Sequence, residues 1–218
     1  MKKYLLAALV VLSASTFAAN VTVFGGVNVN GGIQFADYSE MDTKMGYTVG
    51  VEAHKSVAKF TNGNFEVGLG TKYDSTIIND ETSEAYEYAS SMPVYGSLKY
   101  SYKVNKKVNV YVQGKAGYVF MFDGKVIDEA NDGIKEVETL IGYDIDAEYG
   151  IKGKVYTGVA VGAEMGNYTL GLSYDITKAD LEITGSEAAD WADFAGENVK
   201  TEAEYSKLAL TVGYKFGK

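Results

Sequence analysis

At 218 residues the chain is long enough for one domain or two small ones. Its formal charge of −9 argues against a nucleic-acid partner, and with no cysteine it has neither a disulfide framework nor thiolate chemistry. Arginine is missing as well, so every cationic side chain is a lysine.

The first segment is set apart by its pattern. Met1-Lys2-Lys3 is a positive start, Tyr4 to Leu12 an apolar run, and Ser13 to Ala19 mostly small residues. That order predicts a secretory signal peptide over 1–18, cleaved before Ala19. The apolar run is far shorter than the ~20 residues a spanning helix needs. Residues 19–218 then form the mature domain.

From Asn20 onward the sequence alternates with period two, the signature of strands. Strand one sets Val21, Val23, Val27, Val29, Ile33 and Phe35 against Thr22, Asn28, Asn30 and Gln34. Strand two sets Tyr47, Val49 and Val51 against Thr48, Glu52 and His54. Strand three sets Phe65, Val67, Leu69 and Tyr73 against Glu66, Gly68, Gly70 and Lys72. Strand four, from Val94, sets Leu98, Tyr100 and Tyr102 against Tyr95, Ser97, Lys99 and Ser101. Strand five runs from Val108 to Phe122 with Tyr111, Gln113 and Lys115 on its polar side. Strand six sets Val155, Val159 and Val161 against Lys154, Tyr156, Gly158 and Glu164. Strand seven sets Tyr168, Leu170, Leu172 and Tyr174 against Thr169, Ser173 and Asp175. Strand eight sets Leu208, Leu210, Val212, Tyr214 and Phe216 against Lys207, Thr211 and Lys215. Eight strands of this length suit an all-β, antiparallel up-and-down barrel that spans a membrane.

Tight and long connections alternate. Asn62-Gly63, Asn105-Lys106-Lys107 and Gly166-Asn167 are tight, and Asn-Gly is a strong two-residue hairpin signal. Asp37–Thr43, Ser75–Met92, Asp123–Tyr149 and Lys178–Glu202 are long, and they hold 23 of the 29 acidic residues but only 4 of the 20 lysines. Short periplasmic turns and long outer loops are the plan of outer-membrane barrels. The outer rim is therefore expected to be anionic and the periplasmic end basic.

A soluble eight-stranded barrel also alternates, with its apolar face inward. Two features favour lipid outside. Tyr and Phe of the apolar face cluster near strand ends, as interfacial girdles do. The opposite face is rich in Gly, Ser, Thr and Ala, which fit a narrow interior.

Val212-Gly213-Tyr214-Lys215-Phe216 resembles the closing strand of small outer-membrane proteins of the OmpA-like and OmpX-like eight-stranded barrel superfamily, although Gly217-Lys218 follow the Phe here. In architecture the resemblance covers the whole mature chain. It implies an assembly signal at Val212, Gly213, Tyr214 and Phe216, read by the barrel-assembly machinery with periplasmic chaperones. It also implies outer-membrane lipids as surroundings. The superfamily includes adhesins, envelope-stabilising proteins, lipid enzymes and narrow channels, so fold alone does not assign the work.

The strongest candidate site is the lumen. Glu52, Glu66 and Glu164 share the inward face with Lys72, Lys99, Lys115, Lys154 and Lys207. Charges in so narrow a space must be paired, which predicts a network that plugs the lumen; a narrow ion channel through the same residues is the rival. Glu66 and Glu164 are expected to pair with Lys99, Lys115 or Lys207. His54-Lys55-Ser56 resembles the His-x-Ser pair of lipid A deacylases, yet it sits toward the periplasmic end with His54 facing the lumen, and so reads as an ordinary lumen or rim histidine. Asp128–Glu138 lacks calcium ligands at Ala130 and Thr139, so the EF-hand pattern fails. Trp191 and Phe194, three residues apart in the last long connection, are either a patch folding that loop or contacts for a host or envelope surface. The expectation is a monomeric, non-enzymatic outer-membrane barrel without cofactor or metal, serving envelope structure or surface adhesion, with a narrow porin as the alternative.

Overall fold

The computed structural model describes residues 20–35, 41–43, 46–79, 85–123, 131–136, 147–185 and 199–217. The expected signal peptide over 1–18 lies outside them, as do Trp191 and Phe194.

The alternating segments form β1 (Asn20–Phe35), β2 (Met41–Thr43), β3 (Gly46–Lys59), β4 (Gly63–Asn79), β5 (Ala85–Lys103), β6 (Val108–Asp123), β7 (Ala147–Met165), β8 (Tyr168–Gly185) and β9 (Val199–Phe216). All pairings are antiparallel between chain neighbours. β1 also pairs with β9, from Val21 opposite Phe216 to Phe35 opposite Ala203, so the sheet closes on itself. β2 and β3 meet the same edge of β1, β3 along Asn20–Asn28 and β2 at Gly31–Ile33. They act as one stave, and the barrel is eight-stranded. Closure gives every stave a neighbour on both sides.

The pleat places side chains as the alternation predicts. Val23, Val27, Val49, Leu98, Val112, Val159, Leu172, Leu210 and Val212 are exposed on the outer wall, whereas Thr48, Glu52, Glu66, Lys72, Lys99, Gln113, Glu164, Ser173 and Asp175 are buried inside. A protein surrounded by water seldom exposes more than a few hundred Å² of contiguous apolar surface. Here the apolar side chains circle the barrel, so its outer wall is built for hydrocarbon. Toward the termini the belt ends in packed rings: Phe65 on Tyr100 at 4.8 Å, Tyr168 on Tyr214 at 5.4 Å, and Tyr214 on Phe216 at 4.8 Å. At the far end Tyr47 meets Tyr73 at 6.0 Å and Tyr118 meets Phe120 at 5.2 Å.

Two details depart from the sequence reading. Both ends of the Ser75–Met92 and Lys178–Glu202 connections are strand, since β4 runs to Asn79, β5 starts at Ala85, β8 runs to Gly185 and β9 starts at Val199. Beyond the lipid neither face needs to be apolar, so a strand there carries no period-two signal. The first tight turn is also displaced. Phe60 N–H donates to Gly63 O at 2.7 Å, which leaves Thr61 and Asn62 at the tip. Gly63 belongs to β4, opposite Tyr102, and an added Cβ would lie 2.5 Å from the Tyr100 hydroxyl. A side chain there would have to displace the Tyr100 ring. Gly166, φ +62° in the β7–β8 turn, does use the left-handed region that favours glycine.

Candidate functional site

Among the described residues the inward faces bring together five carboxylates, Glu52, Glu66, Asp74, Glu164 and Asp175, and five lysines, Lys72, Lys99, Lys115, Lys207 and Lys215, each within 4 Å of an opposite charge. Charge is balanced inside a wall that leaves no room for bulk water. The pairs stack in tiers along the barrel.

Nearest the tight turns, Lys99 bonds Glu164 and stands 3.9 Å from Glu66, while Lys215 Nζ reaches Glu164 at 3.1 Å. The Lys99 ammonium lies 4.5 Å from the centre of the Tyr111 ring, an additional cation–π contact. In the next tier Glu52 accepts from Tyr95 Oη at 2.7 Å and from Gln113 Nε2 at 3.1 Å, with Lys115 Nζ at 3.1 Å. Above it Asp175 accepts from Lys72 Nζ at 2.8 Å, Tyr156 Oη at 2.7 Å and Ser173 Oγ at 3.0 Å. Asp74 lies 3.0 Å from Lys72 and 2.8 Å from Lys207. Each tier draws on strands from different parts of the chain, so it can form only once the barrel has closed.

Over the charged tiers sits an apolar cap of Val119, Met121, Ala179, Ala203 and Tyr205, packed with Tyr95 and Tyr156. Among the described residues a polar gap beside Glu52, Lys72, Lys99 and Tyr111 has a volume of about 40 Å³, space for no more than a few waters.

Of the residues expected in the lumen network, Glu52, Glu66, Lys72, Lys99, Lys115, Glu164 and Lys207 face the interior. Lys154 does not. Its side chain is 43% exposed and pairs with Asp180 at 2.6 Å and Glu202 at 3.6 Å. A register shift between Gly153 and Tyr156 changes the phase of β7 there, so parity counted from Tyr156 misplaces it. Lys154 instead joins an outer rim chain in which Lys178 also contacts Glu202 at 3.0 Å and Glu204 at 3.4 Å. At this water-exposed rim the hydrogen bonds that Lys178 donates to Glu202 and then Glu204 hold its ammonium pKa above the usual range. Asp74, Asp175 and Lys215 were absent from the expected list. A sequence signal for the two acids exists: of the six carboxylates outside the long connections, five are these lumen acids and the sixth is Glu204.

His54 is buried, and its Nε2 meets Ser97 Oγ at 3.1 Å, Gln113 Nε2 at 3.4 Å and Glu52 Oε2 at 3.8 Å. A serine–histidine–acid relay needs the acid on the opposite ring nitrogen from the serine. Here both face one nitrogen, and Ser56 is hydrogen-bonded to Asn64 at 2.5 Å rather than to His54. Among the described residues no three His, Asp or Glu side chains are grouped to hold a metal ion. Val212 and Tyr214 point outward and Gly213 inward on β9, where that strand closes the barrel against β1.

Comparison with solved structures finds other small membrane barrels. The outer membrane enzyme PagL is 12% identical, with 92% of this chain and 100% of that chain covered and a TM-score of 0.48. Neisserial surface protein A is 8% identical, covering 91% and 98%, also at 0.48. The outer membrane protein OprG from Pseudomonas aeruginosa is 12% identical, covering 92% and 97%, at 0.44. No curated protein matches the sequence. A family model does match, over residues 4–216, and this chain belongs to the outer membrane protein beta-barrel domain family.

Proposed function

We propose that the protein is a non-enzymatic, sealed barrel of the outer membrane that holds acidic loops at the cell surface, for envelope structure or for contact with a surface partner. The observation that carries this reading is the balanced set of five carboxylates and five lysines filling the lumen. A pore needs wall charges that face mobile water. These charges face each other, and aromatic rings and an apolar cap fill the space left over. The rival reading, a narrow porin, rests on the remaining polar gap of about 40 Å³. The single buried histidine lacks the geometry of a nucleophile's base, which supports a non-enzymatic role.

Purified barrel in phospholipid vesicles gives the test. Vesicles carrying it should remain as tight to glycine, sucrose and small ions as empty ones. Swelling or solute uptake that scales with the amount of folded barrel would establish the porin instead.

A further inference from the structure

The lysines at the tight-turn end are distributed on one side of the rim. Lys55 and Lys59 are exposed on β3, and Lys103, Lys106 and Lys107 are exposed at the β5–β6 turn. These two turns are joined directly, since Lys103 N–H donates to Asn62 O at 2.8 Å. The second is fixed by Asn105, whose Oδ1 accepts from the N–H groups of Lys107 at 2.8 Å and Val108 at 3.0 Å. The remaining turn, Gly166-Asn167, carries no lysine, and Lys215 beside it is neutralised by Glu164 at 3.1 Å. Among the described residues no acidic side chain is exposed at this end. Half of the rim therefore holds five uncompensated cations on preorganised turns.

Their depth indicates what they meet. Phe60 and Phe65 stack at 6.2 Å and Phe65 and Tyr100 at 4.8 Å, marking the membrane interface next to both turns. Lys55 lies on the outward face opposite Val67, Val57 at the bulge beside it is 58% exposed, and Lys59 lies past the bulge opposite Asn64 at the mouth of the barrel. A lysine there lays its stem along apolar surface and lifts its ammonium to the headgroup layer. We propose that this half-rim, spanning the β3–β4 and β5–β6 turns, is a binding site for an anionic phospholipid. The phosphate sits among Lys59, Lys103, Lys106 and Lys107, and the acyl chains lie along Val57 and Phe65. A soluble acidic protein or polymer fits less well, because the same patch exposes apolar side chains that such a partner leaves in contact with lipid.

Native mass spectrometry of the folded, full-length barrel is the test. It would be released from micelles doped equally with phosphatidylglycerol and phosphatidylcholine of identical acyl chains. Wild type should retain phosphatidylglycerol over phosphatidylcholine by roughly tenfold or more, given about fivefold per lysine near a charged surface. Lys103→Gln/Lys106→Gln/Lys107→Gln should erase the preference while the unboiled protein still migrates as a folded barrel. Lys152→Gln/Lys178→Gln, at the opposite end, should leave it intact. Equal retention of the two lipids by wild type would overturn the proposal. So would a preference that survives the triple substitution, or capture of a soluble polyanion with no preference between the lipids.

Discussion

The two faces of one barrel wall obey opposite rules. Inside, space is short: a Cβ at Gly117 would lie 2.1 Å from Val94 O, and one at Gly158 would lie 2.2 Å from Asp175 Oδ1. Outside, a Cβ at Gly114 would meet nothing within 4 Å, and one at Gly96 only a carbonyl oxygen at 3.9 Å. Charge divides the other way. The inner face accepts charge because each group has a partner, whereas hydrocarbon offers none. The lumen therefore tolerates charge and resists volume, and the lipid face tolerates volume and resists charge.

Substitutions that cross this division should show it, beginning with the most damaging. Asp175→Ala strands Lys72 and removes the acceptor of Tyr156 and Ser173. Breaking a buried pair in this way costs about 3–5 kcal/mol, read as a lower denaturant midpoint for unfolding from vesicles or micelles. A loss below ~1 kcal/mol would mean that water reaches the site. Val159→Arg places a charge on the outer wall, where Val159 is 58% exposed; the expected loss is about 2–4 kcal/mol in lipid. Val159→Leu at the same site should be close to neutral. If both changes behave alike, the outer wall does not face hydrocarbon.

The glycines give a finer comparison. Gly117→Ala should cost about 1–3 kcal/mol through overpacking, while Gly114→Ala should stay within ~0.5 kcal/mol. Equal costs would mean that crowding does not distinguish the faces. The smallest effect is expected at the outer rim. Lys178→Gln loses contacts to Glu202 and Glu204 that are about half exposed, and exposed pairs contribute under ~1 kcal/mol. That loss should shrink further in high salt.

How much of this was readable follows from where alternation operates. Inside the lipid layer one face must be apolar, so period two reports the side of every residue from Tyr47 to Glu52 or from Tyr168 to Asp175. Above the lipid that constraint ends, and the strand continuations Ser75–Asn79 and Lys178–Gly185 read as loop. Lys154 was misplaced because a bulge shifts phase without marking the sequence. Partner choice was beyond reach for another reason. Lys72 and Asp175 are 103 residues apart, and only the stagger of the closed barrel decides that they meet. The apolar cap was missed for a further reason: Val119 and Met121 share the inward face of β6 with Gln113 and Lys115, but apolar residues on both faces there leave no polar contrast to mark that end of the lumen.

Planar-bilayer recording tests the central claim, a lumen closed by its own charges, most directly. The unmodified protein, inserted and verified as folded by its heat-modifiable migration, should give no steady conductance. Glu164→Ala, which removes the partner of Lys215 and leaves Lys99 with Glu66 at 3.9 Å, should lower stability and introduce a leak. A large, stable, ion-selective current from the unmodified barrel would contradict the account.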